Sequence, residues 1–83
     1  MFAVRAVAVA PGEDLAYDEA QWRDALVVVQ RGVIELRGVS GASRSFRRGD
    51  LLWLERVPLA ALHNPGAEPA VLLAIARANT LTV

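Results

Sequence analysis

His63 is the single imidazole in this chain and so the obvious proton carrier near neutral pH. Asp18, Glu19, Gln21 and Asp24 gather side-chain oxygens within one short segment. A magnesium or calcium site needs about six to eight oxygens converging from separate elements, so this cluster by itself reads as solvated carboxylates. Arg44, Arg47 and Arg48 flank a turn and are able to hold a phosphate or carboxylate. So small a group more often forms a solvated edge that discourages strand pairing, which is the expectation adopted. Trp22, Trp53 and Tyr17 combine apolar area with a polar handle and suit a ligand wall or an interface. Cysteine is absent, which removes disulfides, thiolate nucleophiles and sulfur-ligated metals.

The elements that must position these groups read as strands. Short apolar runs alternate with Gly, Pro and Asn signals, and no helical period is sustained. Strands are expected at Phe2 to Val9, Leu15 to Glu19, Ala25 to Gln30, Val33 to Arg37, Ser43 to Arg47, Leu51 to Leu54, Leu59 to Asn64 and Ala70 to Arg77. Turns fall at Pro11-Gly12, Gly32, Ser40-Gly41-Ala42, Arg48-Gly49-Asp50 and Asn64-Pro65-Gly66. Asp18 to Ala25 is the one place where a helical turn competes. Many closely spaced strands imply an all-β sandwich or barrel.

Length and composition bound the rest. The 83 residues suit one domain, 1–83, which is small enough to gain from any partner that covers more apolar surface. Hydrophobic residues make up 54% and charged residues 22%, against averages of about 45–50% and about 25%, so more surface is expected to be buried than in an ordinary domain. Leu51 to Leu54 and Val27 to Val29 are apolar on both faces, whereas a strand in a lone antiparallel domain keeps one face wet. A homodimer is the expected cover, because one patch on two copies satisfies itself about a two-fold axis. If Ala25, Val27 and Val29 face inward, Leu26 and Val28 face the partner. A net charge of zero favours neither nucleic acid nor an anionic membrane, and no apolar run is long enough for a membrane span. With no cysteine and a short N-terminal run that reads as a strand rather than a signal segment, a cytoplasmic location is expected.

Gly49-Asp-Leu-Leu-Trp-Leu-Glu-Arg-Val-Pro-Leu-Ala-Ala-Leu-His-Asn64 resembles the second motif of the cupin family, G-x5-P-x-G-x2-H-x3-N. Gly49 and Asn64 match; Glu55, Val57 and Ala60 stand at the positions of the proline, the second glycine and the metal-binding histidine. Asp24 to Leu36, with Gly32 as its closing glycine, resembles the end of the first motif, and Asn64 to Ile75 resembles the turn and strand that follow the second. The resemblance covers roughly residues 24 to 77. It implies a small cupin-like antiparallel β-barrel or jelly roll.

It also implies where a cupin's ligands would lie, and none is present. Ala25 takes the glutamate position, Ala60 the second-motif histidine, and Asp18 to Gln21 the two first-motif histidines. No metal and no cofactor are therefore expected. If Ala60, Leu62 and Asn64 share the family's inward parity, period-two alternation turns His63 to the outer face. Asn64 before Pro65 is equally well explained as a turn residue whose amide caps local backbone. The expected ligand pocket comprises Glu19, Gln21, Ala25, Val27, Ala60, Leu62 and Asn64, roomy and apolar where the ligands are vacated. The expected function is a metal-free, non-catalytic module that binds a small organic ligand or acts as a dimeric interaction protein. The alternative is a metal-independent isomerase, epimerase or lyase that moves protons with Asp18, Glu19 or His63.

Overall fold

The computed structural model describes residues 2–54 and 57–77. Eight strands, β1 (Phe2–Val9), β2 (Asp14–Ala16), β3 (Ala25–Arg31), β4 (Val33–Gly38), β5 (Ser43–Arg47), β6 (Leu51–Trp53), β7 (Leu59–His63) and β8 (Ala70–Arg77), are joined by one short helix, α1 (Glu19–Trp22). They form two four-stranded sheets, ordered β1-β8-β3-β6 and β2-β7-β4-β5, with every pairing antiparallel. Seven strands begin and end within a residue of the sequence expectation. The second does not. Asp18 turns the chain out of it by accepting a hydrogen bond at Oδ1 from Ala20 N–H (3.0 Å) and at its carbonyl from Gln21 N–H (3.0 Å), which starts α1. The expected strand Leu15 to Glu19 is therefore a three-residue strand followed by a capped helical turn.

The core lies between the sheets and follows strand alternation. Ala25, Val27 and Val29 on β3, Ile34 and Leu36 on β4, and Leu72 and Ala74 on β8 are buried, while Leu26, Val28, Leu73 and Ile75 turn outward and are only half-buried. Trp22 is the largest fully buried side chain, and the Arg5 guanidinium lies 5.1 Å from its ring centroid. Trp22 is thus core rather than ligand wall. Its indole N–H has no acceptor among the described residues, a cost of about 1–3 kcal/mol that the packing of so large a ring offsets.

Gly32 joins β3 to β4 at φ +77°, and a Cβ there would sit 2.8 Å from the Pro69 carbonyl oxygen and 3.0 Å from Ala70 Cα. Both neighbours are backbone and cannot swing away. Gly32→Ala is expected to cost about 2–4 kcal/mol, from the left-handed conformation and the displaced 69–70 segment together. Urea unfolding checks it, and an unchanged midpoint would contradict this packing.

Candidate functional site

The two sheets present opposite chemistry to solvent. On the outer face of the second sheet, Asp14, His63 and Glu35 fall side by side across β2, β7 and β4. His63 Nδ1 meets Asp14 Oδ1, Arg37 Nε donates to Glu35 Oε1 (2.8 Å), and a longer Arg37 pair reaches Asp14 (3.5 Å). His63 therefore points away from the interior, as its parity required. The hydrogen bond to Glu35, with the Asp14 carboxylate nearby, raises Arg37 above its ordinary value. The cluster is a solvated cross-strand network, each exposed pair being worth under about 1 kcal/mol.

The outer face of the first sheet carries two cross-strand rows with no polar member. One is Val4, Ile75, Leu26 and Trp53; the next is Ala6, Leu73, Val28 and Leu51. Phe2, Val4, Leu51 and Trp53 are each more than half exposed, at 68%, 62%, 62% and 54%. The next row, Ala8, Val71 and Arg31, bounds them with a charged residue, and Gln30 is the extra residue where the β3–β8 register shifts.

The seven residues expected to line a pocket are not brought together at one opening. Glu19 and Gln21 are exposed on α1, and Glu19 Oε1 reaches Arg23 at 3.8 Å. Ala25, Val27 and Leu62 belong to the packed core. Ala60 is exposed, because the β4–β7 register shifts between Arg37 and Gly38: Arg37 lies opposite Ala61 and Gly38 opposite Leu59, which leaves Ala60 as the extra residue of a bulge. The inward parity expected for Ala60 is lost at that bulge, and Leu59 packs on the core in its place. Asn64 is fully buried, with both amide protons engaged: Nδ2 donates to the Val9 carbonyl (2.9 Å) and the Glu68 carbonyl (2.7 Å), and Oδ1 accepts from Gly66 N–H (2.9 Å). It ties β1 and β7 to the turn before β8. Burial, with Glu19 and Asp18 nearby, raises the Tyr17 phenol above its usual value near 10.

A cavity of about 490 Å³ opens elsewhere, between the β4–β5 hairpin, β6 and the 57–59 segment. Buried Leu36, Leu52 and Leu54 contribute its apolar interior, together with half-buried Phe46 and Leu59; Ser40, Ser43 and Arg44 are exposed at its mouth. None of the seven expected residues lines it. β4 and β5 read as ordinary amphipathic β and β6 as apolar on both faces, and neither pattern gives a local signal for the opening. Val57, at the family's second glycine, borders the cavity; Glu55, at the proline position, lies outside the described residues.

Two sheets in this order, strand parity and a buried Asn64 after β7 agree with the motif resemblance, and comparison with solved structures decides the architecture. A structure described as a Cupin 2 conserved barrel domain protein from Salinispora arenicola superimposes with a TM-score of 0.68 at 27% identity over 89% of this chain. The chain has a cupin-like fold. It spans 60% of that neighbour's length. A second structure, a regulatory subunit of a cAMP-independent protein kinase A from Trypanosoma brucei, matches with a TM-score of 0.52 at 17% identity over 87% of this chain and 30% of that one, and shows the fold alone. No protein-family model and no curated protein matches the sequence.

The cupin-like frame raises the question of a metal, and the donors present do not fit one. Ala25 and Ala60 offer methyl groups, Asp18 caps α1 and Glu19 reaches toward Arg23. Among the described residues no three His, Asp or Glu side chains converge as a metal site requires. No helix among them is long and apolar enough to cross a membrane.

Proposed function

We propose that this cupin-like chain is a non-catalytic binding module that works as a homodimer, each copy holding a small organic ligand in the cavity beside β6. The observation that carries the binding reading is the cavity's chemistry: of its described lining residues, Arg44 alone is ionisable. Acid–base catalysis needs at least two groups converging on the substrate, one to take a proton and one to give it. A binding site needs only apolar contact and a few polar anchors. This favours a binding module over the isomerase, epimerase or lyase alternative, whose carriers Asp18, Glu19 and His63 all lie outside the cavity.

The dimer reading rests on the contrast between the two outer faces. A charged network keeps the second sheet wet, whereas the rows on the first sheet are apolar across all four strands. Two copies of these apolar rows can oppose one another without like-charge repulsion, which supports a second copy of this chain as the cover. Leu51 and Trp53 belong to this face and also border the cavity, so the two features adjoin.

Calorimetric titration with 2-naphthol, a neutral apolar probe, tests the cavity. Saturable binding at one per chain is expected, weakened in Ala42→Trp, which places a large ring at the mouth while leaving the core alone. Absence of saturable binding, or identical binding by both proteins, would overturn the reading.

A further inference from the structure

We infer that the cavity selects apolar molecules bearing a single carboxylate, and that Arg44 is the residue that holds it; this rests on the binding-module reading above. Period-two alternation on β5 places Arg44 and Phe46 on the inner face, at the open end of the sandwich, opposite Leu36 and Ile34. The Arg44 guanidinium lies 5.6 Å from the Phe46 ring centroid, a cation–π contact that holds the fork at the mouth of the cavity. Among the described residues no carboxylate stands within ion-pair distance of it, whereas Arg23 and Arg37 both have acidic neighbours.

The other two arginines of the segment do not join it. Arg47 falls on the outer face opposite Val33, and Arg48 sits in the turn closed by Asp50, whose Oδ2 accepts from Arg47 N–H (2.9 Å). Among the described residues one guanidinium therefore faces the opening. That matches a monoanionic carboxylate, which a guanidinium holds through two parallel N–H···O bonds, better than a dianionic phosphate, whose second charge would find no further cation among the described lining residues. Apart from Arg44 and the hydroxyls of Ser40 and Ser43 at the mouth, the described lining is mostly aliphatic and aromatic, and about 490 Å³ lies within the range of small-molecule sites. An apolar body inside with its acid at the rim satisfies both parts.

The test compares 2-naphthoate with 2-naphthol, equal in shape and unlike in charge, by calorimetry on the full chain and on Arg44→Met, which keeps an aliphatic stem over Phe46. The wild type is expected to bind naphthoate roughly ten-fold more tightly than naphthol, with the preference shrinking at high salt. In Arg44→Met the preference of naphthoate over naphthol should disappear, and Arg44→Lys, which keeps the charge without the fork, should fall between. Equal affinities in the wild type, or a preference that survives Arg44→Met, would overturn the assignment of Arg44 and leave the cavity reading standing. If neither probe binds, the cavity reading fails and this inference with it.

Discussion

Val28→Asp is expected to turn a stable dimer into a weakly folded monomer, with a loss on the order of 3–5 kcal/mol. Val28 lies on a central strand between Leu73 and Leu51, and its side chain points away from the core. In a single chain it is half-buried, and a Val→Asp change there costs about 1–2 kcal/mol. Against a second copy the same carboxylate is buried with no cation in its row, and the penalty for an unpaired charge applies in full. The size of the loss thus separates the two situations. Urea unfolding at two protein concentrations reads it, because a dimer's midpoint rises with concentration and a monomer's does not. Ser45→Lys, opposite Glu35 on the outer face of the second sheet, is the matched control and should stay within about 0.5 kcal/mol. A Val28→Asp protein no less stable than this control would remove the interface from the account.

Asn64→Ala is expected to cost a similar amount for a different reason. Truncation leaves the buried Val9 carbonyl without its partner, and the Glu68 carbonyl and Gly66 N–H without theirs in a part-buried setting. Each buried unpaired group costs about 1–3 kcal/mol, so a loss of about 3–5 kcal/mol follows even if a water recovers part of it. Small domains hold about 5–15 kcal/mol in total, and the variant should be largely unfolded near its wild-type melting temperature. Circular dichroism melting checks this. If Asn64→Ala kept its melting temperature and instead lost 2-naphthol binding, Asn64 would be a ligand contact and its structural role would be refuted.

Most of the fold was legible because alternation is a local property. Ala25 to Val29, Leu72 to Ala74 and the turn at Gly32 follow from residue type and spacing, and the same period placed Leu26, Val28 and His63 on their outer faces. The motif resemblance supplied the cupin-like architecture. What stayed hidden depended on partners far along the chain. α1 competes with a strand at Leu15 to Glu19, and the outcome rests on the Asp18 cap and a buried site for Trp22. Ala60 leaves its expected face because of one extra residue relative to β4, which no feature of 59–64 announces. The cavity draws on Leu36, Phe46, Leu52 and Pro58, residues unremarkable singly and brought together only by the tertiary fold. Expecting the pocket at the vacated ligand positions assumed that the site persists when its chemistry is gone; Ala25 lies instead within packed core.

The mass of the untagged wild-type chain in solution, measured by light scattering at low micromolar concentration, tests the central claim most directly. The account predicts a stable particle of twice the 8.9 kDa chain mass, because the apolar rows of the first sheet close against a second copy. A well-behaved monomer of 8.9 kDa would contradict it, since the face carrying Val4, Leu73, Val28 and Trp53 would then stand in water with nothing to cover it.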